Sequence, residues 1–185
     1  LVCPAPFFPN DQPPATMPEP GSPTLLQTRQ FLFEERWQAD VRAEGQIEHL
    51  EVRDVLWDGL MREDGLGAEW AADGKGVMRA PNRMNYGWRE NAGNIKAPTL
   101  IMLGEFDNYQ KRRDSWLGLK STKHKAFVRI AAASHFVMFE YARRALHRHG
   151  LEWLDKGTVG GATLGEFHSD REGALSPLAT QNAAE

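Results

Sequence analysis

Two short apolar runs, each ending at a side chain that can hold or move a proton, constrain this sequence more than any other feature. The first is Pro98-Thr99-Leu100-Ile101-Met102-Leu103-Gly104-Glu105-Phe106-Asp107, and the second is Lys125-Ala126-Phe127-Val128-Arg129-Ile130-Ala131-Ala132-Ala133-Ser134-His135. Each is too short for a helix and bounded by turn residues, the pattern of a strand buried on both faces of a parallel sheet. Strands are therefore predicted at 99–103 and 126–130, joined by a charged helix over about 107–119. Open α/β sheets bind their ligands just beyond the carboxyl ends of the strands. Asp107 and His135 leave two such ends, so an acid and a histidine can meet over one crevice.

The rest of the chain is read around that pair. Residues 1–9 form an apolar opening run and read as one more strand of the core. The stretch 9–23 is too dense in proline for a regular element. Ser22 or Thr24 then caps a helix that carries Leu25, Leu26, Phe33 and Trp37 on one broad face and ends near Gly45. A second helix is predicted over about 47–61, and short helices and loops over 68–94. The whole of 10–94 thus reads as a helical insertion with little strand signal. After the second strand, a helix runs from His135 to about Lys156, with Phe139, Ala142, Leu146 and Trp153 toward the sheet and Arg143, Arg144 and Arg148 toward water. Gly157 stops it. Lys111, Arg112 and Arg113 are expected on a solvated face, 95–157 completes the core, and 158–185 is expected to be a mostly disordered tail. Strands at 1–5, 99–103 and 126–130 are too few for a stable sheet, which implies that the remainder of a sheet packs beside this chain.

Composition narrows the class. Of 185 residues, 41% are hydrophobic and 25% charged, ordinary for a globular α/β chain. A net charge of −3 without a basic stripe argues against a nucleic-acid partner. A membrane span needs roughly 20 apolar residues in a row, and no stretch comes near that. The single cysteine, Cys3, excludes an intrachain disulfide and suits a reducing, cytoplasmic compartment. No metal site is expected: no Cys/His cluster has zinc spacing, and the Asp and Gly residues of 64–76 do not follow a calcium loop. No cofactor is expected either, since no glycine-rich phosphate loop follows a strand. Among the other histidines, His147 and His149 lie on different helix faces, while His49, His124 and His168 are expected at the surface.

The segment Pro-Thr-Leu-Ile-Met-Leu-Gly-Glu-Phe-Asp followed by Ser-His-Phe resembles the C-terminal part of an α/β-hydrolase, in which the chain order is nucleophile, acid, histidine. The resemblance implies that Asp107 is the triad acid and His135 the general base. Glu105 is the competing carboxylate, because alternate strand residues share a face, but the position after Gly-Glu-Phe is the one the family uses. It further implies that 10–94 is a helical cap, and that Trp37, Trp57, Trp88 and Phe136 line a pocket for a small ester or acyl substrate; packing of the cap onto the sheet is the other role open to these residues. The sequence departs from the family in one respect: no Gly-x-Ser-x-Gly elbow and no oxyanion segment occur in it. The nucleophile is therefore expected before Leu1. Two other readings stay open, an aspartate-nucleophile hydrolase of dehalogenase or epoxide-hydrolase type, and a non-catalytic binding module.

Overall fold

Why Asp107 and His135 leave the same edge of one sheet is answered by strand register. A computed structural model describes residues 25–71, 75–79, 92–107 and 109–178. The two apolar runs are strands, β3 (Thr99–Gly104) and β4 (Lys125–Ile130), paired parallel with Thr99 opposite Lys125 and Gly104 opposite Ile130. Helix α3 (Tyr109–Gly118) makes the crossover that parallel pairing requires. Helix α4 (Arg143–Lys156) makes the next, into β5 (Leu164–Ser169), which runs parallel to β4 with Ile130 opposite Ser169. A short antiparallel strand, β6 (Leu175–Pro177), follows, so the described strands form a sheet of order β3-β4-β5-β6. Gly104, Ile130 and Ser169 thus end side by side, and the loops after them start from one line.

Burial accounts for the apolar runs. Ile101, Leu103, Ala126, Phe127, Val128 and Ile130 have no exposed surface, covered by Trp116 and Leu119 from the α3 side and by Ala142, Ala145 and Leu146 from the α4 side. Full burial of a large aliphatic or aromatic side chain is worth roughly 1.5–3 kcal/mol, so these strands hold the main core among the described residues. Gly157, at φ 68°, ends α4 with its N–H on the Trp153 carbonyl, at the predicted stop.

Four expectations need correction. The stretch 158–178 is not a tail, because β5 and β6 lie in it; only 179–185 falls outside the described residues. These strands are half-exposed and carry Gly165, Glu166 and His168, so neither an apolar run nor a clean alternation announces them. Arg113 is not simply solvated: its guanidinium makes two hydrogen bonds, of 2.6 and 2.9 Å, to Glu166 of β5. The side chains of Lys111 and Arg112 lie outside the described set. His124 and His168 are half-buried, with His124 set edge-on against Trp153 and its ring nitrogen on the Gly157 carbonyl. The strand at 1–5 falls outside the described residues, and so does Cys3.

The fourth correction concerns the insertion. Leu25 to Thr28 form β1 (Leu25–Thr28), antiparallel to β2 (Gly76–Arg79), rather than the first turn of a helix. The cap falls later, at Thr28, whose hydroxyl oxygen accepts the Phe31 N–H. A π-helical turn, Phe31–Trp37, and a 3-10 turn, Gln38–Asp40, follow, and Phe33 and Trp37 are buried as their spacing predicts. Helices α1 (Val52–Glu63) and α2 (Gly65–Trp70) come next; α1 buries no residue fully, and Leu50 before it is exposed.

The base of this unit is seated against the start of α4. Tyr141 donates its N–H to the Gln46 carbonyl, and Arg143 and Arg144 each bond the Glu48 carboxylate, at 2.8 and 2.9 Å. Arg144, with Arg143, holds the Glu48 carboxyl down to about 2. Arg171, from the β5–β6 turn, reaches the carbonyls of Glu44 and Gly45.

Candidate active site

The site begins with a glycine. Gly104 ends β3 where the chain after β4 crosses it, so close that a Cβ there would sit on the Ser134 carbonyl oxygen and within 2.5 Å of the Ala133 carbonyl. Only a residue without a side chain allows this approach. The backbones then tie the two loops together: Glu105 N–H donates to the Ile130 carbonyl and Phe106 N–H to the Ala133 carbonyl, both at 2.8 Å. The Glu105 carboxylate adds two bonds across the same gap, from Arg129 at 2.6 Å and from the Ala132 N–H at 3.1 Å. Ala132 is held at φ 51°, a left-handed conformation costly for a residue with a Cβ, at this corner. Glu105 therefore stitches the loops.

Asp107 is the one that reaches the histidine. Its Oδ2 lies 3.1 Å from His135 Nδ1. The Asp107 side chain is 8% exposed and that of His135 41%, so the acid is shielded and the imidazole is open to a reactant. A carboxylate at Nδ1 selects the tautomer with the proton on that nitrogen. Nε2 is then the nitrogen with a lone pair, ready to accept a proton.

One buried carboxylate beside the site was missed in the sequence. Glu140 has no exposed surface, yet four donors converge on its carboxylate. Ser134 gives its N–H at 2.8 Å and its hydroxyl at 2.6 Å; Trp37 Nε1 and Gln46 Nε2 each donate at 2.9 Å. Glu140 also takes an extended conformation, ψ 173°, which splits the predicted last helix into a 3-10 turn, Val137–Phe139, and α4. The available signal was a lone acid in the apolar stretch Phe136 to Ala142, unusual for a side chain that is rarely buried without partners.

The residues predicted to line a pocket fare differently. Trp37 and Phe136 do meet, ring centroids 5.0 Å apart with planes 14° from parallel, and the Phe136 ring stands edge-on to His135 at 5.8 Å. Trp37, however, is fully buried, packed among Phe33, Phe136 and Phe139 with the Arg53 guanidinium over its ring. That is a packing role, not a free pocket wall. Trp57 is half-buried on α1, one turn after Arg53, and Trp88 lies outside the described residues. Arg42, from the same insertion, lies over the Phe106 ring at 5.5 Å, so the insertion touches both loops of the site.

Two serines stand beside histidines, and neither is an available nucleophile. Ser134 is buried with its hydroxyl given to Glu140. Ser169 is buried at the end of β5, with His149 Nε2 at 2.8 Å and its hydroxyl donated to the Asp170 carbonyl. Among the described residues no group of three or more His, Cys, Asp or Glu side chains is placed to hold a metal ion, and no helix is long and apolar enough to cross a membrane. Comparison with protein-family models, with curated proteins and with solved structures finds no match to this chain.

Proposed function

We propose that this chain is the acid-and-histidine part of an α/β-hydrolase acting on an ester or related acyl bond. The observation that carries the reading is the 3.1 Å contact between Asp107 and His135, at the carboxyl ends of adjacent parallel strands and with the imidazole open to solvent. In this scheme Asp107 fixes the imidazole and stabilises its charged form. His135 Nε2 takes the proton of a serine hydroxyl as its oxygen bonds to the acyl carbon, then delivers that proton to the departing alcohol. A water activated the same way cleaves the acyl-enzyme. The serine comes from an elbow outside these 185 residues, since the Gly-x-Ser-x-Gly pattern is not among them. The insertion acts as a cap over the crevice, its base laid on Phe136 through Trp37 and on Phe106 through Arg42.

Fluorophosphonate labelling of the protein isolated from its native source, read by intact mass, tests this reading. The expected result is one adduct on a serine outside these residues, lost in the His135→Ala variant. A longer protein that takes no adduct would instead favour an aspartate nucleophile with His135 activating water. No adduct on a chain with the mass of these residues alone, 20.8 kDa, would overturn the enzyme reading in favour of a binding module.

A further inference from the structure

The buried carboxylate beneath the histidine does more than fasten a helix. We propose that Glu140 is a positioning residue for His135 and that it couples the orientation of the imidazole to the seating of the cap; the inference rests on the hydrolase reading above. Three observations carry it.

First, Glu140 holds the residues on both sides of His135. Ser134 gives it both its N–H and its hydroxyl, and the same hydroxyl oxygen accepts the Phe136 N–H at 3.1 Å. The backbone entering and leaving His135 is therefore fixed to one carboxylate, directly or through one oxygen.

Second, the oxygen that accepts the Ser134 hydroxyl, Oε1, also accepts from the cap, through Trp37 Nε1 and Gln46 Nε2. Gln46 is itself a clasp: its Oε1 accepts the N–H groups of Arg42 and Ala43, and its Nε2 also reaches the Asp40 carbonyl. Moving the cap base therefore pulls on Trp37 and Gln46 together, and both act on the oxygen that holds Ser134. The stack of Trp37 on Phe136 gives the same movement a second route to the histidine.

Third, the chemistry of the group fits positioning better than adhesion. Burying a carboxylate carries a desolvation cost that an apolar side chain of similar volume avoids. An apolar side chain would pack the cap to the sheet, but could not set the direction of Ser134. Four donors on two oxygens fix direction, and direction is what a general base needs, because a misplacement of about 1 Å can lower turnover about 100-fold.

The test reads the ring, not turnover. In the complete protein with nitrogen-15 histidine, two-bond proton–nitrogen spectra report which nitrogen of His135 carries the proton, with His135→Ala to assign the signals. Wild type is expected to hold the Nδ1–H form, and Asp107→Asn to lose it. Glu140→Gln places an amide where the Ser134 N–H or the cap donors must be accepted, and is expected to move the ring at least about half-way to the Asp107→Asn state. Trp37→Phe, which keeps the stacked ring and removes the indole N–H, should move it the same way by less. A folded Glu140→Gln protein with the wild-type tautomer overturns the proposal. If that variant does not fold, Trp37→Phe and Ser134→Ala decide: wild-type tautomers in both overturn it. Absence of any serine adduct from the wild-type protein in the labelling experiment, with a tautomer that still follows Glu140, would sink the serine-hydrolase assignment and not the coupling.

Discussion

Two histidines sit at the carboxyl end of the same sheet, each against one polar side chain, and they are built for opposite purposes. His135 follows β4 in a loop, meets Asp107 and keeps 41% of its side chain exposed. His149 sits inside α4, meets Ser169 at the end of β5 and is 1% exposed. The first has a charged partner and an open edge. The second has a neutral partner, and its buried Nδ1 makes no hydrogen bond. Burial of an imidazole penalises its charged form. Exposure and the nature of the polar partner, not proximity to a polar group, separate the two histidines.

The two regions also differ in what holds them, which gives the largest expected effect. His135 depends on a backbone approach at Gly104, while His149 depends on side-chain packing within α4. Gly104→Ala forces a methyl group into the Ser134 and Ala133 carbonyls, which cannot yield as a flexible side chain would. We expect a loss of about 3 kcal/mol or more in urea denaturation, because overpacking against backbone belongs to the severe class of substitutions. A loss below about 1 kcal/mol would show that the loops part easily and that the close approach does not set the site.

A smaller effect sharpens the other side. Burial keeps the His149 imidazole below the usual histidine range, with Arg148 acting in the same direction and Glu152 and Asp170 opposing. A histidine held neutral in the fold takes up protons more readily when unfolded, so stability rises with pH there and is lost as pH falls below the ordinary histidine value of about 6.5. The drop in unfolding free energy from pH 7.5 to 5.5 should therefore shrink in His149→Leu relative to wild type. Equal drops in the two proteins would mean that His149 does not contribute to acid sensitivity.

Much of the site was legible in the sequence, because its signals are local. The apolar runs of β3 and β4, the turn residues after them and the glycine ending α4 all act within a few residues of their own positions. What was not legible depends on partners distant in the chain. Leu25 to Thr28 look helical until β2 is there to pair with them. The strand β5 has no buried run of its own and gains its place from β4 on one side and β6 on the other. Glu140 reads as an ordinary polar residue until Trp37 and Gln46 converge on it from the opposite end of the sequence. Between the two acids after β3, sequence alternation left both in play. Arg129 and the Ala132 N–H are what turn Glu105 away to a stitching role.

If the proposed hydrolase reading holds, turnover in the complete protein carrying His135→Ala should separate from that of His149→Ala, each normalised to folded protein. In the first, kcat is expected to fall by about 10⁴-fold or more, as for loss of a general base, with near-ultraviolet circular dichroism unchanged. In the second, kcat should stay within a factor of about 3 while stability falls, since an enclosed imidazole held on Ser169 acts on folding. A His135→Ala protein retaining kcat within about tenfold of wild type would rule out His135 as the general base, because no proton transfer would then pass through that imidazole.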